Sequence, residues 1–114
     1  MESPDLSDLI GIPYSTMKCY DLAMEVYRRI GKELPDFRNN ATLLKNGLGL
    51  IKIEKPEKWC IMLLAEGSRI NHIGIYLGHG KMIHTNSLVG VLIEDTKRLE
   101  RKIKGYYKTS DKPV

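Results

Sequence analysis

Along residues 17–30 the apolar positions Leu22, Ala23, Val26, Tyr27 and Ile30 recur at three- and four-residue spacing, which draws one stripe down a helix. Ser15 or Thr16 stands where an N-cap is expected, and Gly31 stands where the helix should stop. Ahead of it, residues 5–10 suit a short helix or turn, and Gly11 and Pro13 break regular structure before Tyr14. The middle of the chain is less regular. Pro35 and Pro56 interrupt residues 32–58, Asn39 to Thr42 suit the cap of a short helix through Leu44, and Gly47 and Gly49 predict a loop after it.

From residue 59 onward the pattern is that of strands. Residues 59–65 are a continuous apolar run of buried-strand length. Gly67, Ser68 and Arg69 predict a turn, and residues 70–77 and 81–86 then flank Gly78, His79 and Gly80 as a hairpin. A further strand is expected over 89–94, entered through Gly90. The charged segment 97–103 suits a turn or short helix, and 105–108 suits a closing strand. A helix first and antiparallel strands after it imply an α+β fold, in one domain over 1–114.

Composition narrows the class. The 114 residues are 42% hydrophobic and 28% charged, enough for a core that needs no disulfide or metal staple. No apolar run approaches the roughly 20 residues that cross a bilayer, so no membrane insertion is expected. The net charge is +4, with much of the excess in Lys97, Arg98, Arg101, Lys102, Lys104 and Lys108. That stretch is a solvated basic face or an attractor of polyanions such as an anionic cell wall. It lacks a nucleic-acid-binding motif and any stacking pattern beyond Tyr106 and Tyr107, so nucleic acid is not an expected partner.

The candidate chemistry lies in two cysteines and three histidines. Free thiols are expected, and the absence of a C-x-x-C pair argues against a cysteine-based zinc site. Cys60, beside Trp59 in an apolar run, reads as a buried structural residue. Cys19 lies three before Leu22 and four before Ala23, in the first turn of the helix and on its inward face. Alone, such a cysteine is core packing. A helix N-terminus, however, favours the thiolate and lowers the thiol pKa. His72 shares a strand face with Gly74 and Tyr76. With a three-residue loop, Leu77 pairs with Lys81 and Gly74 with His84. That makes His72 and His84 diagonal neighbours at roughly 7–8 Å between backbones. One imidazole can then serve as base and the other fix its tautomer. His79 reads as an exposed turn residue. A metal held by His72, His84 and Cys19 is the weaker alternative, and neither metal nor cofactor is expected.

Four segments resemble the NlpC family of papain-like cysteine peptidases, especially short forms from phage tails. Residues 11–14 (GIPY) are similar to the family's G-x-P-Y. Residues 17–37 (MKCYDLAMEVYRRIGKELPDF) are similar to its nucleophile helix and the L-P-x-[FY] stretch after it. Residues 71–85 (NHIGIYLGHGKMIHT) are similar to its H-[VI]-G-[IV]-Y-L-G strand, turn and second histidine, and 103–108 (IKGYYK) to the closing strand of phage members. The resemblance implies a papain-like fold with the nucleophile helix packed on an antiparallel sheet. It implies Cys19 as nucleophile, His72 as general base and His84 as its orienting residue. Tyr14 matches the tyrosine that serves the oxyanion or substrate site, and Tyr20 is placed to line the cleft. It further implies cleavage of peptidoglycan stem peptides through an acyl-enzyme, with phage tail proteins as assembly partners. Lys18 and Tyr20 flank Cys19 where the family usually has an acidic residue and Ser/Trp-Gly, and the Gly-Gly loop between tyrosine and cysteine is missing. A non-catalytic module on the same fold, or a papain-like amidase or acyltransferase, are the competing readings. The acidic start of the chain lacks the basic and apolar regions of a signal peptide. The expected location is therefore a phage virion or tail, or the bacterial cytoplasm, with action at the cell wall once delivered.

Overall fold

The apolar stripe of residues 17–30 forms α1, Cys19–Arg29, which buries Leu22, Ala23, Val26 and Tyr27. The structure is a computed structural model, and it describes residues 4–32, 34, 50–66 and 69–109. The helix does not start from Ser15 or Thr16. Its N-cap is Lys18, whose N–H donates to Asp21 Oδ2 at 3.1 Å. Asp21, three residues into the helix, supplies the acceptor from the position that the helix dipole favours for an anion. Ser15 and Thr16 fall instead in a turn closed by Thr16 and Met17 N–H groups on the Pro13 carbonyl. The other end stops as expected. Gly31 takes φ +75°, and Lys32 and Gly31 N–H groups donate to the Tyr27 and Arg28 carbonyls in a Schellman motif.

Before the helix, a 3-10 turn at Ser7–Leu9 buries Leu9. Six strands follow among the described residues: β1 Leu50–Ile53, β2 Ile61–Glu66, β3 Arg69–Gly78, β4 Lys81–Asn86, β5 Gly90–Asp95 and β6 Ile103–Thr109, with a 3-10 segment at Thr96–Lys102. They make one antiparallel sheet in the order β1-β6-β2-β3-β4-β5. The α+β expectation is met, with a helix packed on an antiparallel sheet. The sequence pattern does not predict β1. The loop foreseen at Gly47 and Gly49 lies outside the described residues, and from Leu50 the chain forms a strand whose partner is the distant β6, from Leu50↔Thr109 to Ile53↔Tyr106. The short helix expected through Leu44 and the Gly67–Ser68 part of the expected turn lie outside the described residues. Arg69 belongs to β3.

Alternation along the strands builds two apolar layers. On one face α1 packs against Ile61, Leu63, Ile73, Ile75, Ile83 and Val91. On the other, Cys60, Met62, Leu64 and Met82 are covered by Leu99, Ile103 and Tyr106. The turn between β3 and β4 corrects the expected pairing of Leu77 with Lys81. Gly78 pairs with Lys81 across a two-residue loop, and Leu77 is taken up in an irregularity before Tyr76↔Met82. His79 and Gly80 both adopt positive φ, at 53° and 74°, the geometry a tight two-residue hairpin requires. His79 is exposed, as expected for a turn residue.

Two ties fix the segment that leads to α1. Arg29 holds both carboxylate oxygens of Asp8 at 2.6 and 2.7 Å, Glu25 at 2.7 Å and the Asp5 carbonyl at 3.0 Å. Further on, Gly11 N–H donates to the Val91 carbonyl at 2.8 Å and Val91 N–H to the Ile12 carbonyl at 3.0 Å. Residues 11 and 12 thus lie as a strap on β5. The approach is close enough that a Cβ on Gly90 would stand 2.1 Å from the Ile12 oxygen.

Candidate functional site

Cys19 is the first residue of α1 and is half-buried. The β3–β4 ladder runs from Gly78↔Lys81 to Ile75↔Ile83. Two residues beyond it, the Ile73 N–H meets the Cys19 sulphur, so the thiol sits against the peptide that joins His72 to Ile73. Burial dominates its electrostatics and pushes the thiol above its ordinary pKa. The N–H groups of Ile73, Tyr20 and Cys19 oppose that rise, and the Asp21 carboxylate adds to it. The helix terminus acts in the expected direction, lowering the pKa, but desolvation is the larger effect and the expected net lowering is corrected to a rise.

His72 and His84 project from the face opposite α1. Ile73, Ile75 and Ile83 take the helix side, while Gly74 faces Met82 and the His84 Cβ. A side chain at Gly74 would collide with Met82, so the missing Cβ leaves room for the rings. His72 pairs with Leu64 on β2 immediately before a register shift between Leu64 and Ala65, a bulge of the kind that re-aims a side chain. The two imidazoles meet edge to face, with centroids 5.2 Å apart and His72 Nε2 3.0 Å from His84 Nδ1. His84 Nε2 in turn lies 2.8 Å from Glu94 Oε1. Glu94 also stands 3.9 Å from Arg98 Nε.

These groups surround an open cavity of about 380 Å³, bordered by Tyr14, His72, His84, Asn86, Glu94 and Lys102 among others. Thr85 lines it too, and its buried hydroxyl has no hydrogen-bond partner among the described residues. The structure therefore gathers Tyr14, His72 and His84 around one hollow. Cys19 meets the β3 backbone at Ile73, the residue after His72, and is not part of the lining, and Tyr20 packs half-buried against the helix-side cluster. Cys60 is 1% exposed in the opposite layer, with its thiol pushed up to about 11 by burial. Sequence reasoning misses Glu94. Its signal is alternation: Met82 pairs with Glu94 and His84 with Leu92, so Glu94 is the diagonal neighbour of His84 on the same face.

Among the described residues, no group of three His, Cys, Asp or Glu side chains is arranged to hold a metal ion. No helix among them is long and apolar enough to cross a membrane.

Residues 9–107 match the profile of the NlpC/P60 family. No curated protein matches the chain at a significant level. Among solved structures, the fold is similar to an NlpC/P60 family protein from Bacillus cereus, at 20% identity and a TM-score of 0.71, over 95% of this chain and 41% of that one. It is also similar to the NlpC/p60 domain of the peptidoglycan hydrolase SagA, at 18% identity and a TM-score of 0.66, over 90% of this chain and 92% of that domain. A third is a Staphylococcus aureus protein described as similar to lipoprotein, NLP/P60 family, at 18% identity and a TM-score of 0.67, over 92% of this chain and 39% of that one. The chain thus spans about two fifths of the length of the first and third of these proteins.

Proposed function

Since this chain belongs to the NlpC/P60 family, we propose that it is a cell-wall hydrolase, a cysteine peptidase that cuts peptidoglycan stem peptides. The observation that carries the proposal is the meeting of Cys19 with the His72–Ile73 peptide at the head of α1, where His72 is itself bonded to His84. The likeness to a domain of a peptidoglycan hydrolase supports the choice of substrate.

In this mechanism His72 Nδ1 takes the Cys19 proton and the sulphur attacks the peptide carbonyl carbon. The N–H groups of the first turn of α1, that of Cys19 included, stabilise the oxyanion. The tetrahedral intermediate collapses as His72 returns the proton to the leaving amine. Water, deprotonated by His72, then attacks the thioester, releasing the carboxylate and regenerating the thiol. Tyr14 contributes to the substrate wall of the cavity it borders, and Tyr20 to the approach to the helix. Because burial keeps Cys19 protonated, the base is needed at the moment of attack rather than to hold a standing ion pair.

Delivery by a phage or prophage tail belongs to this proposal, supported by the likeness of residues 103–108 to the closing strand of phage members. The raised thiol and the Lys18 and Tyr20 flanks favour one competing reading, a non-catalytic module of such a tail. Incubation with purified muropeptides under reducing conditions, followed by mass spectrometry, separates them. Cleavage by the wild type and its loss in Cys19→Ala is the expected result. No cleavage by the wild type, or equal cleavage by both, defeats the hydrolase reading.

A further inference from the structure

Beside the two histidines, the cavity is lined, among the described residues, by one carboxylate in contact with them, Glu94 Oε1 at 2.8 Å from His84 Nε2. We propose that Glu94 is the positioning residue of this site: through His84 it sets the tautomer of His72 and steadies the imidazolium formed when Cys19 gives up its proton. The inference rests on the hydrolase reading for its kinetic consequence, but not for its structural one.

What each atom can donate or accept determines the tautomers. An ionised carboxylate only accepts hydrogen bonds, so His84 Nε2 must carry a proton and donate it to Glu94. A neutral imidazole has one N–H, which leaves His84 Nδ1 as an acceptor. His72 Nε2 lies 3.0 Å from that acceptor and must therefore carry its own proton. The remaining nitrogen of His72, Nδ1, is then the unprotonated one, as a base for the Cys19 thiol requires. One carboxylate at the far end fixes both tautomers in sequence. When His72 accepts the thiol proton, its positive charge faces a line of two hydrogen bonds that ends in a negative charge.

Position suits the task. Glu94 keeps 20% of its side-chain exposure and His84 6%, so their contact is screened far less than a surface pair. Among the described residues, the other charged groups facing Glu94 come from the 3-10 segment Thr96–Lys102: Arg98 at 3.9 Å and Lys102 across the cavity. Arg98 is mostly exposed, so it leaves the His84 contact as the shorter and more buried of the two. Asp95, the next acid on β5, lies on the opposite face of the strand and pairs with Lys81 at 3.0 Å.

Two measurements on the full chain test this. Side-chain spectra of protein with 15N-labelled histidine read tautomers without substrate. In the wild type both His72 and His84 should carry their proton on Nε2 at neutral pH, and in Glu94→Gln that pattern should give way to mixed tautomers. In muropeptide hydrolysis, Glu94→Gln should lower kcat about ten- to hundredfold, the range that one charge-assisted hydrogen bond commands, with KM changed less than about twofold. Removing the anion should also move the acidic limb of the rate–pH profile to lower pH, because the imidazolium loses its counter-charge. Glu94→Asp, which keeps the charge, should recover activity that Glu94→Gln lacks at equal melting temperature. Unchanged tautomers in Glu94→Gln overturn the inference, as does a loss of rate that Glu94→Asp shares in full with no movement of the acidic limb. A wild type with the expected tautomers that cleaves nothing defeats the hydrolase reading and leaves the tautomer assignment standing.

Discussion

At the scale of the residue, Cys19 shows how two familiar influences on a thiol are ranked. Its place at the head of α1 is legible from the spacing to Leu22 and Ala23, and so is the sense in which a helix terminus acts. That desolvation outweighs the helix terminus is not, because its extent depends on the sheet packed behind the helix. The consequence is measurable. Alkylation of Cys19 by iodoacetamide should rise with pH to an inflection above the ordinary thiol value of about 8.5. A rate that is already at its plateau near pH 6 would instead mean a standing thiolate–imidazolium pair. Thr85 offers a second test. Its hydroxyl is buried without a partner among the described residues, so Thr85→Val should raise stability by about 1 kcal/mol, read from the urea midpoint. The histidine pair is legible because the irregularity at Leu77 offsets the shorter two-residue loop and restores the register that a three-residue loop predicts, with Gly74 opposite His84. Glu94 lies one strand further along the same diagonal argument.

At the scale of the element, the N-terminal segment matters more than its irregular sequence suggests. Arg29 pins it to the end of α1, and residues 11 and 12 pair with Val91, so Tyr14 is placed from two sides. Gly90 is where the fit is tightest. Any side chain there meets the Ile12 carbonyl and must adopt φ near +75°. Gly90→Ala should therefore cost about 2 kcal/mol or more, seen as a lower denaturation midpoint, and should change KM by displacing Tyr14. A variant with the wild-type midpoint would show that the strap yields freely. None of this is legible from residues 5–13, since a strap is defined by the β5 backbone it lies on. β1 escapes notice for the same reason: Leu50–Ile53 is four residues long, and its only pattern is its pairing with β6, more than fifty positions away. Where the partner is next in sequence, as for β4 over Lys81–Asn86, the expected bounds hold to the residue.

At the scale of the whole molecule, the fold class is legible because both periods are written locally: the stripe of α1 and the alternation of β3 and β4. The second apolar layer is not legible, because it joins Cys60 and Met62 to Leu99 and Tyr106 across a long separation. That layer ties stability to pH. Burial pushes the Cys60 thiol up to about 11, so the folded protein keeps a proton that the unfolded chain releases above about pH 8.5. Stability should fall as pH climbs through this window, by on the order of 2 kcal/mol toward pH 11, and Cys60→Val should flatten the fall. Urea melts at stepped pH measure it, and equal slopes in both proteins would exclude Cys60 as the cause. The strap bears on the molecule in company as well. β5 ends the sheet, and a terminal strand presents backbone groups on which another chain can build. With Leu88, Val89 and Ile93 exposed nearby, that border is apolar as well as open. Gly11 and Ile12 occupy Val91 on that border, so they should hinder self-association there. A chain that loses this strap to proteolysis should assemble edge to edge, in a size-exclusion profile that shifts with concentration.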